Sequence, residues 1–138
     1  MIEFNFLKKV NLRNRKKFRF FLQQVCKREG FSLQNLSIVF CSDEALLKIN
    51  RQHLGHDFYT DIITFDYSTK KEDIFGELLI SVDRVFENAK QFSTTKEREL
   101  HRVIFHGLLH LFGYKDKTPK DKTQMRQKEE QYLKSYFK

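Results

Sequence analysis

The strongest structural signal in the sequence lies in Lys96-Glu-Arg-Glu-Leu-His-Arg-Val-Ile-Phe-His-Gly-Leu-Leu-His-Leu-Phe-Gly113. Apolar residues occupy nearly every side of a helix drawn through this stretch, namely Leu100, Val103, Ile104, Phe105, Leu108, Leu109, Leu111 and Phe112. A helix that is apolar nearly all round is buried. The sequence therefore predicts a core helix in which His106 and His110 supply the only polar side chains between Val103 and Phe112.

Cap and stop signals place the ends of this helix and the start of the next one. Thr94 and Glu97 have the spacing of a capping box, so we expect the helix to begin near Thr95. Gly113 is a natural stop. A short loop follows, and Thr118-Pro119 then provides an N-cap and a first helical residue for the last helix.

Upstream of this region, apolar periodicity divides the chain into strands and helices. Alternating or continuous apolar runs predict strands over 2–6, 36–41, 60–65 and 77–80. Helical spacing predicts helices over 14–29, from about 43 to 50, and after Ser81, which is a good N-cap. We expect an α+β fold: a small mixed β-sheet of about four strands, packed with about five helices into a single compact domain over residues 1–138.

The composition excludes several classes of protein. No apolar run approaches the length of about 18 residues that a membrane helix needs, and the first residues lack the pattern of a secretory signal. Cys26 and Cys41 form no CxxC pair and make a poor disulfide framework, so we expect reduced thiols. These observations predict a soluble cytoplasmic protein without a membrane partner.

The charge balance is strongly basic. Twenty-six Lys and Arg stand against eighteen Asp and Glu, which gives a formal net charge of +8. Such an excess attracts polyanions such as nucleic acid, although a solvated basic surface without a partner fits the count equally well. The cations concentrate in two stretches, 8–19 and 115–122, which we interpret as a candidate RNA track.

The histidine pair in the core helix carries the chemistry. His106 and His110 are four residues apart, so both imidazoles project from one face of the helix, as when one helix provides two metal ligands. Two hydrogen-bonded core histidines explain the pair alone equally well. Asp116 follows in a tight loop, and its carboxylate could complete a three-ligand site. The alternative is that Asp116 is an ordinary polar turn residue.

The pattern of the pair also limits the reaction. Metalloproteases of the H-E-x-x-H type need a Glu after the first His as general base, and this chain has Gly107 there. We therefore expect a zincin-like metal-site helix without peptide hydrolysis by that mechanism. Since a mid-helix Gly costs about 1 kcal/mol relative to Ala, we expect a close neighbour at Gly107.

The string His106-Gly-Leu-Leu-His-Leu-Phe-Gly-Tyr114 resembles the signature of the YbeY-type bacterial endoribonucleases, which act in ribosomal RNA maturation. The likeness extends over 47–66 and 76–84, and to Met125 with Glu129 and Glu130, in the same order along the chain. The resemblance implies a compact α/β-type fold, a single divalent metal, usually zinc, and cleavage of single-stranded RNA.

Three positions depart from that family pattern. Asp116 stands where the motif ordinarily ends in a third His, Leu54 stands where many members carry an Arg linked to activity, and Glu77 replaces an Asp after Gly76. Two His and one carboxylate suit Zn²⁺, and Ni, Mn or Fe also accept this set. With the loop Arg absent, Arg51, His56 and Arg102 are candidates to stabilise a phosphate, and each is alternatively a solvated or structural residue.

These observations lead to one main expectation and two alternatives. We expect a metal-dependent endoribonuclease acting on single-stranded RNA such as ribosomal RNA precursors, with ribosomal subunits as further partners and no small-molecule cofactor. His106, His110 and Asp116 would act through the metal, and Arg51 would assist at the phosphate. The alternatives are a metal-stabilised RNA-binding factor for ribosome assembly that cuts nothing, and a metallohydrolase of a small substrate.

Overall fold

The chain forms four strands and five helices, in agreement with the pattern in the sequence. The computed structural model describes residues 1–138, with the elements β1 (Ile2–Phe6), α1 (Arg15–Arg28), β2 (Ser32–Cys41), α2 (Asp43–Leu54), β3 (Ile62–Asp66), β4 (Asp73–Ser81), α3 (Val82–Gln91), α4 (Lys96–Leu111) and α5 (Pro119–Tyr136). None of these helices combines the length and the apolar character needed to cross a bilayer.

The four strands form one mixed sheet in the order β1-β2-β4-β3. β1 and β4 both run parallel to β2, whereas β3 runs antiparallel to β4. β2 and β4 are longer than the apolar runs predicted, because backbone pairing continues to Ser32 and Asp73. Polar residues at these strand ends carry no apolar signal, but their backbone groups still need partners. The predicted α+β fold with a small mixed sheet is confirmed.

Helix α4 is buried, as its composition predicts, and packs directly against β3 and β4. A Cβ atom at Gly107 would lie 2.6 Å from Ile62 Cδ1 and 2.9 Å from Leu78 Cδ2. The glycine therefore lets the helix approach the sheet more closely than any other residue would allow, which is the close neighbour expected from the sequence. Cys26 and Cys41 are both buried free thiols.

The helix ends correct two details of the sequence prediction. The N-cap of α4 is Thr95, whose hydroxyl accepts a hydrogen bond from the Arg98 N–H, and Glu97 pairs with Arg13 instead of completing a capping box. Helix α2 continues one turn beyond the predicted Asn50, so Leu54 is its last helical residue. Propensity alone locates such boundaries only to within a few residues.

Candidate metal centre

Three donor atoms from α4 and the loop after it converge on one point. His106 Nε2 lies 3.1 Å from His110 Nε2 and 3.4 Å from Asp116 Oδ2, and His110 Nε2 lies 3.2 Å from Asp116 Oδ2. These three residues form the group of potential metal ligands in the chain. The structure thus brings together the three residues that the sequence analysis singled out.

The donor triangle has the size that a tetrahedral zinc ion requires. Ligand bonds of about 2.1 Å in tetrahedral geometry place neighbouring donors about 3.4 Å apart. The three measured separations of 3.1, 3.2 and 3.4 Å are close to that value. All three side chains are partly exposed, with 21%, 28% and 42% of their surface accessible for His106, His110 and Asp116. The residues therefore fit a divalent ion with a further position open to solvent.

A tight reversal of the chain places Asp116 opposite the two histidines. Gly113, with φ of 101°, ends the helix, and its N–H donates to the carbonyl of His110 at 2.9 Å. The Tyr114 hydroxyl then donates to Glu29 at 2.8 Å and fixes the next residue of the loop. Thr118 starts α5 with a complete capping box. Since both ends of the loop are anchored, the Asp116 carboxylate is held close to the helix face.

A buried carboxylate on α5 orients the first histidine. Glu129, only 2% exposed, has its Oε2 2.6 Å from His106 Nδ1. A carboxylate accepts, so Nδ1 carries the proton and the Nε2 lone pair points at the donor triangle. Burial by itself raises the pKa of Glu129, but the hydrogen bond from His106 and the charge of Arg102 outweigh it and lower that pKa. A carboxylate behind a ligating imidazole is the usual support of a metal site.

Arg102 completes this support and is not free to meet a phosphate. Its guanidinium pairs with Glu99 at 2.6 Å and with Glu129 at 2.9 Å, and both carboxylates are buried. Burial alone would lower the pKa of Arg102, whereas the bonds and charges of the two carboxylates raise it. Of the two interpretations of Arg102 in the sequence, the structure supports the structural one.

A cavity of about 660 Å³ opens in front of the donor triangle. It is bounded by the three donor residues, by β3 and by the segment between α2 and β3, which contributes His56 and Phe58. Arg51 does not line it: the side chain is exposed and pairs with Asp57. Leu54, at the position of the missing Arg, does line it.

Asp61 is a further carboxylate of the cavity that sequence reasoning did not identify. Burial raises the pKa of the Asp61 carboxyl, while the charge of Arg102 opposes that shift. The role of Glu129 was also missed, although the residue falls in the stretch that resembles the family. Neither residue shows helical or motif spacing to the histidine pair, so only the folded structure reveals them.

Comparison with known proteins agrees with this architecture. The family model described as Endoribonuclease YbeY matches residues 3–137. The Endoribonuclease YbeY of Cytophaga hutchinsonii is 53% identical over 122 residues, which cover 88% of this chain and 85% of that protein. The one of Flavobacterium johnsoniae is 44% identical over 133 residues, covering 96% and 95% respectively.

A solved structure also matches over nearly the whole chain. The solution structure of TM1509 from Thermotoga maritima superposes with a TM-score of 0.66 at 27% identity, covering 99% of this chain and 89% of that one. The family match and the identity to curated relatives both extend through the strands, the histidine helix and α5. The chain therefore belongs to the endoribonuclease YbeY family.

Proposed function

We propose that this protein is a metal-dependent endoribonuclease that cleaves single-stranded RNA during ribosomal RNA maturation. The observation that carries the proposal is the triangle of His106, His110 and Asp116 at the floor of an open cavity, in a chain of the endoribonuclease YbeY family. The net charge of +8 suits a polyanionic substrate. α4 is accordingly proposed to be a zincin-like helix that lacks the general-base Glu of the proteases.

We propose one divalent ion as the only cofactor, with Zn²⁺ as the first choice and Ni, Mn or Fe as acceptable substitutes for two imidazoles and one carboxylate. When bound, such an ion supplies Lewis acidity and an activated water at neutral pH. The protein's own contribution is to hold the two imidazoles and the carboxylate in a fixed triangle, through α4, the anchored loop and Glu129. No further small-molecule cofactor is part of the proposal.

Arg51 is the proposed phosphate contact at the edge of the site. Its partner Asp57 is largely exposed, with 75% of the side-chain surface accessible. An exposed ion pair contributes little, so a phosphate can replace the carboxylate at small cost. Arg51 would then reach the substrate from outside the cavity, since it does not line the wall itself.

The proposed substrates are ribosomal RNA precursors in the cytoplasm, with ribosomal subunits as the larger partner. One observation favours a second candidate, an RNA-binding assembly factor without cleavage: Leu54 lines the cavity where many relatives carry an Arg linked to activity. The two candidates differ in one measurable outcome: the nuclease converts full-length RNA into fragments, whereas the assembly factor binds the RNA and leaves it intact.

The test uses the purified full chain and a labelled RNA whose single strand and duplex have the same sequence. The nuclease proposal expects cleavage of the single strand with Zn²⁺, Mn²⁺ or Ni²⁺, and none in chelator or in His110→Ala. The exposed His53→Ala is the matched control and retains cleavage. Binding of the single strand without cleavage in any of the metals would instead favour the assembly factor.

A further inference from the structure

Two aromatic side chains form a stacked pair on the wall of the cavity. The rings of His56 and Phe58 lie with centroids 5.1 Å apart and planes 19° from parallel. Both residues line the cavity that also contains the three donor residues. Phe58 nevertheless keeps 55% of its surface exposed, although a large apolar side chain is ordinarily buried.

The backbone beneath this pair is held rigidly from one buried residue. Asn50, only 1% exposed, donates from Nδ2 to the Phe58 carbonyl at 2.8 Å, and its own carbonyl accepts from the His56 N–H at 3.1 Å. Between them, Gly55 reverses the chain with φ of 68°. Because both ends of the segment are bonded to Asn50, the backbone that carries the Phe58 ring is already ordered, and holding it costs little further entropy on binding.

The cavity wall offers a polyanion no fixed cation. The residues that line it include no Lys and no Arg, so the proposed phosphate contact of Arg51 comes from outside the wall. Leu54 adds apolar surface to the same wall. A nucleic acid strand held against this wall must therefore gain free energy by another interaction, and exposed aromatic rings provide it by stacking on bases.

We propose that the Phe58 ring, backed by His56, stacks on a nucleobase of single-stranded RNA next to the phosphate that lies at the His106–His110–Asp116 triangle. This inference rests on the proposed function and adds the way in which the strand is held. It also gives a physical reason for a single-strand preference: a base inside a duplex already has both faces covered by its neighbours, whereas an unpaired base has a free face.

The test measures binding in chelator, so that no cleavage interferes. The proteins are wild type, Phe58→Ala, Phe58→Trp and the control Phe92→Ala. Phe92 is a matched control because it is another exposed phenylalanine, with 57% of its surface accessible against 55% for Phe58. The probes are a labelled single-stranded oligoribonucleotide and a series of the same oligonucleotide with one abasic site at successive positions. Circular dichroism checks that each variant is folded.

The expected result is a loss of affinity of about tenfold for Phe58→Ala, with wild-type affinity for Phe58→Trp and Phe92→Ala. In wild type, one abasic position should lower affinity by a similar factor, and in Phe58→Ala the same position should have no effect. Such coupling assigns the ring to that base, because removing either partner removes the same interaction.

Two other outcomes overturn the inference, and they differ in what they say about the nuclease. If wild type and Phe58→Ala bind the single strand equally well in chelator, and wild type cleaves it once Zn²⁺ is added, the stacking site is wrong and the proposed function stands. Phe58 would then serve another partner, such as a protein. If wild type neither binds nor cleaves single-stranded RNA, the proposed function fails and the stacking site fails with it.

Discussion

Nδ1 of His106 on α4 and Oε2 of Glu129 on α5 lie 2.6 Å apart. This contact links two helices across the loop that carries Asp116, and it leaves the other ring nitrogen of His106 free to bind an ion. Arg102 holds Glu129 from the opposite side at 2.9 Å. The candidate metal centre thus depends on Glu129 and Arg102, neither of which lines the cavity.

Glu129→Gln should lower the affinity of the protein for zinc by about tenfold, because an outer partner of a ligating imidazole typically contributes 10- to 100-fold. Competition with a chromogenic chelator measures this affinity directly. The control is Glu130→Gln at the next position, where the exposed side chain pairs with Arg98 instead. Equal zinc affinity for both variants would contradict the assigned role of Glu129.

Asp116→Ala should lose one ligand and retain less zinc after dialysis, whereas Asp116→His should retain it, because imidazole is also a good zinc ligand. Metal content by elemental analysis is the readout. Asp66→Ala serves as the control, since Asp66 lines the same cavity but lies outside the donor group. If Asp116→Ala keeps its full metal content, Asp116 is only a turn residue.

Gly107→Ala should destabilise the protein. The added methyl group would meet Ile62 Cδ1 at 2.6 Å, and overpacking of this kind costs about 1–3 kcal/mol, against a gain of about 1 kcal/mol in helix propensity. Ile62→Val removes the nearest of the clashing atoms and leaves those of Leu78, so the double variant should be more stable than the sum of the two single changes predicts. Urea denaturation gives all four free energies of unfolding, and strict additivity would rule out the close approach.

RNA binding should weaken with salt in part through the cations after α4. Lys115, Lys117, Lys120 and Lys122 are exposed and form no ion pair. The same holds for Lys16 and Lys17 in the other basic stretch, whereas Lys8 and Arg13 are paired with Asp83 and Glu97. Each Lys→Gln change among the four that contacts a phosphate should reduce the log–log salt slope by about 0.7. Lys90→Gln on α3 is the control. An unchanged slope in all variants would show that these lysines only solvate the surface.

Stability should fall on acidification through His101. This residue is 1% exposed, its Nδ1 lies 2.7 Å from the Glu97 carbonyl oxygen, and its Nε2 has no partner. Burial lowers the pKa of His101, so the unfolded chain takes up a proton below about pH 6.5 that the folded chain resists. The free energy of unfolding should therefore decrease as pH falls from about 7 to 5, by at most about 1.4 kcal/mol per pH unit from this group.

His101→Phe should remove that component of the pH dependence and leave a flatter curve, because Phe cannot titrate. The exposed His53→Phe is the matched control and should keep the wild-type slope. Denaturation in chelator at three pH values gives the pH dependence of the free energy of unfolding for both variants. Parallel curves for His101→Phe and wild type would exclude His101 as the source.

The elements of the fold were predictable because their signals are local. The apolar surround of α4, the Thr118-Pro119 start of α5 and the alternation in β1 each lie within one short window. The first residues of β2 and β4 were not predictable, because the backbone pairing of Ser32 with Asp73 joins residues far apart in the chain. The predicted start of α4 near Thr95 is confirmed, but the predicted capping box does not form, because Thr95 is the N-cap and Glu97 pairs with the distant Arg13.

The same distinction applies to the metal centre. His106 and His110 were identified by spacing on one helix, and Asp116 by its place in the loop that follows. The contacts of Glu129 and Asn50 do not follow from any periodic pattern in the sequence. Glu129 supports His106 from another helix, and the Asn50 side chain holds the loop at Phe58. Such roles depend on tertiary geometry, and a single sequence does not contain it explicitly.

The location of Glu129 in α5 has a consequence for the order of events during synthesis. A chain emerging from the ribosome folds from its N-terminal side, and here the sheet is complete in sequence at Ser81. The donor residues follow only with α4 and its loop, and the carboxylate that sets the tautomer of His106 arrives with the last helix. A growing chain that has not yet reached Glu129 therefore lacks the carboxylate that orients His106, and any activity that needs this orientation can begin only after α5 has been made.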